Sequence, residues 1–236
     1  MTTYTSNFGC DLSARRHRVT LGDVSAIGFL HTSSVHVPTF RDLVAELAPR
    51  SSTAWVVDER LLERARRFGA ADPQVADGIA RALAELDRQG ADVVVCTCST
   101  IGGAAEIVGR RVGVAVVRVD RAMAERAVAI GGKVRVVAAL ENTLAPTLEL
   151  LESVAADHGL ELDVEVEMVA GAWERFEADD GEGYLAVIAD ALAKHAVGCD
   201  VIVLAQASMA EAADRVAVGV PVLSSPRLAV AALAEC

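Results

Sequence analysis

The sequence predicts an α/β fold built as two similar parallel-sheet halves, related by a pseudo-twofold axis, with a cleft between them. Three observations carry this. Short Val-rich runs alternate with Ala-, Leu-, Glu- and Arg-rich runs of helical spacing. Hydrophobic residues make up 53% of the chain but aromatics only 4%, so the core must be built from Val, Ala and Leu. That is the composition of helices packed on a buried parallel sheet. Finally, the second half of the chain repeats the first at an offset of 108 residues.

The strand candidates are residues 26–30, 54–57, 92–97, 114–119, 134–138, 162–168, 201–204 and 220–223. Helical spacing between them is clearest over 75–89, 144–158 and 184–195. Strand, helix, strand in this order means βαβ units and a mostly parallel sheet. The duplication rests on several matches. Asp92-Val-Val-Val-Cys-Thr-Cys98-Ser-Thr-Ile-Gly-Gly-Ala-Ala-Glu106 aligns with Asp200-Val-Ile-Val-Leu-Ala-Gln206-Ala-Ser-Met-Ala-Glu-Ala-Ala-Asp214. At the same offset Val37-Pro-Thr-Phe40 falls on Ala145-Pro-Thr-Leu148, and Gly90 on Gly198. One long duplication is implied, not a short-period solenoid. The expected organisation is a polar N-terminal tail over 1–24, a first α/β domain over 25–125 plus 216–236, and a second over 126–215.

Net charge is −11, and an acidic surface repels phosphate backbones, which argues against nucleic acid as a partner. No apolar run reaches bilayer-spanning length, and the N-terminus carries no apolar signal core, so no membrane role is expected. The five cysteines, Cys10, Cys96, Cys98, Cys199 and Cys236, are odd in number and scattered. This favours a reducing cytoplasm over a disulfide framework. No second Cys or His pair stands at ligand spacing from Cys96-Thr-Cys98, so zinc is not supported. No phosphate loop or nucleophile elbow is present, and neither Lys133 nor Lys194 has a Schiff-base context. A homo-oligomer is compatible with a chain of this size and composition.

In parallel α/β sheets ligands bind beyond the carboxyl ends of the strands. Two facing halves would therefore set position 98 opposite position 206 across a substrate. Cys98 ends a strand and precedes a turn into a helix. Ser99 or Thr100 could cap that helix, and its N-terminus is expected to lower the thiol pKa and to suit a carboxylate. Cys96 should face the same way but deeper, in the core. The end of the first strand offers His31, Thr32, Ser33 and Ser34, and the repeat offers Asn142 and Thr143. All could bind substrate oxygens or simply form turns and caps. His31 could also shuttle protons.

The run Val95-Cys-Thr-Cys98-Ser-Thr-Ile-Gly-Gly103 resembles the first cysteine motif of the aspartate/glutamate/hydantoin racemase superfamily. Leu204-Ala-Gln206-Ala-Ser-Met209 stands where the second cysteine motif of those enzymes would be. The resemblance covers the chain from about Ile27 onward. It implies two α/β domains, an active site between them, no cofactor, no metal and a small carboxylate-type substrate. By resemblance, Cys98 is the catalytic thiol, while Ser99, Thr100, Gln206, Ala207 and Ser208 contact substrate with the first-strand hydroxyls. Gln206 replaces the second cysteine, and an amide cannot exchange protons at neutral pH. Cys199 cannot substitute, being ~23 Å back along an extended strand. The expected activity is therefore a one-thiol isomerase or lyase, related to maleate isomerase and arylmalonate decarboxylase. It would act at the carbon next to a carboxylate or carbonyl. A true amino-acid or hydantoin racemase with a non-cysteine second base and an inactive small-molecule-binding protein are the alternatives.

Overall fold

The computed structural model describes residues 24–234. Cys10, Cys236 and, apart from Val24, the expected tail lie outside them. All eight strand candidates form strands. The first sheet contains β1 (Ala26–His31), β2 (Ser52–Val57), β3 (Val93–Cys96) and β4 (Val116–Arg118) in the order β2-β1-β3-β4. The second contains β5 (Lys133–Ala138), β6 (Asp163–Met168), β7 (Val201–Leu204) and β8 (Val222–Leu223) in the order β6-β5-β7-β8. Every pairing is parallel.

The same local devices build both halves. Gly90 (φ 87°) and Gly198 (φ 82°) take the left-handed turn that ends one helix before the next inner strand. One residue pair later, the carboxylate of Asp92 accepts from the backbone N–H groups of Ser25 and Ala26 at 3.1 and 2.9 Å. Asp200 does the same for Lys133 N–H at 2.7 Å. Each acid thus ties the start of an inner strand to its neighbour. β3 and β7 are wholly buried, as their unbroken Val and Leu runs require with helices on both faces. β2 and β6 are edges and alternate with solvent.

The helices show why apolar spacing was legible. α1 is Val37–Leu47, α2 Glu59–Phe68 and α3 Pro73–Arg88. In α3, Asp72 caps the N-terminus by accepting from the N–H groups of Gln74 and Val75, and Val75, Ile79, Leu83 and Leu86 line its buried face. α4 (Ser99–Val112) packs so tightly on β4 that a Cβ on Gly109 would lie 2.5 Å from Val116 Cγ2.

Two helices cross between the halves. α5 (Arg121–Ile130) follows β4, but its Met123, Ala124, Ala127 and Val128 join the core of the second sheet with Val134, Leu151 and Val203. α9 (Ser225–Ala234) follows β8, but its Ala229, Val230 and Leu233 join Phe29, Phe40 and Val95 of the first. The exchange is itself twofold. It also moves the expected boundaries: β8 pairs with β7, so residues 216–223 stay with the second sheet, and the crossings come at the ends of β4 and β8.

Arg118, at the end of β4, adds a polar tie. Its guanidinium forms a two-pronged pair with buried Asp120 at 2.8 and 2.7 Å and donates to the Pro146 carbonyl at 2.9 Å. Pro146 belongs to α6 (Leu144–Asp157) of the other half. Among the described residues no helix is long and apolar enough to cross a membrane.

Candidate active site

The carboxyl ends of β3 and β7 face one small cleft whose walls come from both halves. Strand pleating places its key residue. Thr97 N–H bonds the Leu30 carbonyl at 3.0 Å, keeping the chain beside β1 beyond the formal end of β3. The Thr97 hydroxyl turns back, donating to the same carbonyl at 3.1 Å and meeting His31 Nδ1 at 2.8 Å. Cys96 and Cys98 therefore share the other face. Cys96 is fully buried in the core below, and Cys98, half-buried, opens on the cleft.

Cys98 is itself the N-cap of α4, with extended backbone angles and no side-chain cap bond. The expected cap by Ser99 or Thr100 does not form. The Ser99 hydroxyl instead donates to the Ala205 carbonyl at 3.1 Å, stitching the end of β3 to the end of β7. Burial raises the thiol pKa, and the nearby Thr32 hydroxyl, Thr100 and Ile101 N–H, which favour thiolate, do not cancel it. The activated thiolate expected at a helix N-terminus is thus not the resting state. Cys98 rests as a thiol, a proton donor, beside N–H groups that can receive an anion. Burial also pushes the Cys96 thiol up.

Gln206 occupies the matching position and lines the same cleft, yet its amide is already engaged. Oε1 accepts from Ala139 N–H at 2.8 Å, while Nε2 donates to the Leu140 carbonyl at 3.3 Å and to the Thr143 hydroxyl. It is 8% exposed and holds the end of β5, where the sequence suggested a free substrate ligand.

Thr32, Ser33, Ser99, Thr100, Thr143, Ala207 and Ser208 also line the cleft. The Ser208 hydroxyl is shared with Tyr184 at 2.7 Å. His31, Ser34 and Asn142 do not line it. Ser34 donates through its N–H and hydroxyl to Glu59, and Asn142 is exposed. His31 is buried in an aromatic stack with Phe29, Phe40 and Trp55. Its Nε2 has no hydrogen-bond partner, so a proton there would be an uncompensated buried charge. Burial, then repulsion from His36, lowers its pKa to about 4.

Sequence reasoning missed His36, Leu62, Thr97, Leu140, Trp173 and Phe176, which complete the lining. Trp173 and Phe176 sit three apart on α7 (Ala172–Glu177), conspicuous in so aromatic-poor a chain. His36 lies just beyond the hydroxyl run, and burial lowers its pKa. Leu62 gave no signal. At the mouth, Arg66 of α2 pairs with Glu177 at 2.7 Å and lies 5.2 Å from the Trp173 ring centroid, bridging the halves. Among the described residues the lining contains no Lys, Arg, Asp or Glu.

Fold and cleft together define a class: a duplicated α/β protein with one thiol at a helix N-terminus between its halves. Residues 30–233 match the Asp/Glu/Hydantoin racemase family, and the chain belongs to it. No match was found among curated protein sequences. Solved structures resemble it in fold. Aspartate racemase of Picrophilus torridus shares 14% identity at a TM-score of 0.69, over 89% of this chain and 92% of its own. Glutamate racemase of Thermus thermophilus, in complex with beta-chloro-D-alanine, shares 22% at 0.57, over 88% and 78%. Arylmalonate decarboxylase shares 18% at 0.52, over 89% and 92%.

Proposed function

We propose that this chain is a cofactor-independent isomerase or lyase acting at the carbon next to a carboxylate or carbonyl of a small acid, with Cys98 as its single catalytic thiol. The observation that carries the reading is the position of Cys98. Its sulfur meets the cleft at the start of α4, where N–H groups and hydroxyls can hold the charge that develops on a substrate carboxylate. Membership of a racemase family and likeness to racemases and a decarboxylase support chemistry at that carbon. A thiol that rests protonated is suited to deliver a proton to an enediolate. Gln206 supplies no second thiol, so a symmetric two-cysteine reaction is not proposed.

The test is a panel of enantiopure amino acids, hydantoins and substituted malonates in deuterated water. The wild-type protein should place one deuterium on the carbon next to the carboxylate, and Cys98→Ala should lose about 10²–10⁴-fold in turnover while still binding substrate. Turnover by Cys98→Ala at the wild-type rate would refute the role of the thiol. Binding of panel members without turnover would point to a catalytically inactive binding protein.

A further inference from the structure

The cleft poses a problem of proton bookkeeping. Racemisation or isomerisation at carbon takes one proton off and puts one on, and a thiol that rests protonated can only give. Gln206 can do neither. The sequence offered His31 as the partner, but His31 is buried in its aromatic stack and absent from the lining. Among the described residues, the lining contains two titratable side chains only, Cys98 and His36.

We propose that His36 is the second proton-transfer group of this cleft, working with Cys98. The proposal rests on the reading of Cys98 as the catalytic thiol and goes beyond it by naming the partner. His36 closes the 3-10 turn Ser34–His36 and begins α1, directly after Thr32 and Ser33, which line the cleft with Cys98. The groups around it are few. His31 on β1 is the neighbouring titratable ring, its own proton disfavoured by burial and by His36, Glu59 at the start of α2 is bound to Ser34, and Cys98 shares the cleft. Burial keeps the imidazole neutral near pH 7, and a neutral ring nitrogen is a base. Two titratable groups held apart in this way, one a donor and one an acceptor, make a general acid and a general base.

The step balances. The imidazole nitrogen takes the proton from carbon, and the C–H pair becomes the enediolate. The Cys98 S–H then gives its proton to that carbon, leaving thiolate and imidazolium. Transfer of one proton from imidazolium to thiolate, directly or through water, restores both. No oxidant, reductant or further reactant is needed.

The test requires no substrate. The native protein is alkylated with iodoacetamide between pH 5 and pH 9, and modification at Cys98 is followed by peptide mass spectrometry. Only thiolate reacts, so log rate should rise with unit slope. A protonated His36 in the same small cleft raises the thiolate fraction below its own pKa. The wild-type profile should therefore show two unit-slope limbs, the one below the His36 pKa lying at least about twofold above the extrapolation of the other. The break between them should coincide with the His36 ring titration followed by NMR. His36→Gln and His36→Asn, each checked for an unchanged circular dichroism spectrum, should give one straight limb. A wild-type profile with no break, or a break that survives both variants, would overturn the role of His36 and leave that of Cys98 standing. A Cys98 that resists alkylation in the native protein at every pH would overturn both.

Discussion

Replacing Gln206 by Ala separates an anchoring amide from a substrate ligand. In the structure the amide makes three hydrogen bonds, to Ala139 N–H, to the Leu140 carbonyl and to the Thr143 hydroxyl, at a site 8% exposed. Truncation leaves the Ala139 N–H without that acceptor beside the cleft, at about 1–3 kcal/mol. Losing the bond to the Leu140 carbonyl costs less, because the Thr143 hydroxyl still donates to it at 2.6 Å. The total is about 2–4 kcal/mol, with partial solvation from the cleft at the lower end. For a chain of this length each kcal/mol moves Tm by about 2–4 °C, so Gln206→Ala should melt about 4–16 °C lower. Thermal unfolding by circular dichroism measures this. A double-mutant cycle with Thr143→Val should give a coupling of about 0.5–3 kcal/mol. Gln206→Glu sharpens the case. Its carboxylate keeps the bond from Ala139 but would face the Leu140 carbonyl, so its folded pKa should be raised. The stabilisation is then present at low pH and lost as pH rises through that pKa. A Tm within about 2 °C of wild type for Gln206→Ala, with no coupling to Thr143, would refute the anchoring role.

Three other outcomes are expected. His31 has a folded pKa of about 4 against an ordinary value of 6.5, so the unfolded chain binds more protons between those pH values, and stability falls as pH drops through that window. The loss should reach about 3 kcal/mol at pH 4, and a denaturant series showing no decline, or the same decline in His31→Phe, would contradict it. Gly109→Ala sets a Cβ 2.5 Å from Val116 Cγ2 and 2.8 Å from the Val114 carbonyl. The overpacking, about 1–3 kcal/mol, should outweigh the helix gain of ~1 kcal/mol, so a Tm at or above wild type would show that β4 yields. Trp173→Ala removes the ring between Arg66 and the cleft. It should raise KM about tenfold, or about 1.4 kcal/mol, for substrates with apolar substituents while changing kcat little. An unchanged KM would remove α7 from the substrate wall.

The sequence made the secondary structure legible because the strands are short, Val-rich and bounded, and the helices keep their apolar spacing. β7 starts and ends where its run does, and α6 differs from its expected span by a single residue. Cys98 was legible as a strand-end residue because the repeat places it opposite Gln206. What failed were side-chain states. His31 looked like a polar strand-end group, but the next residue on that face of β1, Phe29, and its neighbours Trp55 and Phe40 enclose it. Ser34 looked available, but Glu59 from α2 reaches it. Each is set by a partner distant in the chain.

The sequence by itself determined the fold class, the duplication and which strand ends meet, since periodicity and repeat offset are local properties that survive without coordinates. Tertiary structure alone decided the crossing of α5 to the second sheet, the engagement of the Gln206 amide, the raised pKa of Cys98 and the presence of His36 in the cleft. The reason is physical: burial and hydrogen-bond partners are sums over neighbours from both halves, and those neighbours exist only once the two sheets have packed together.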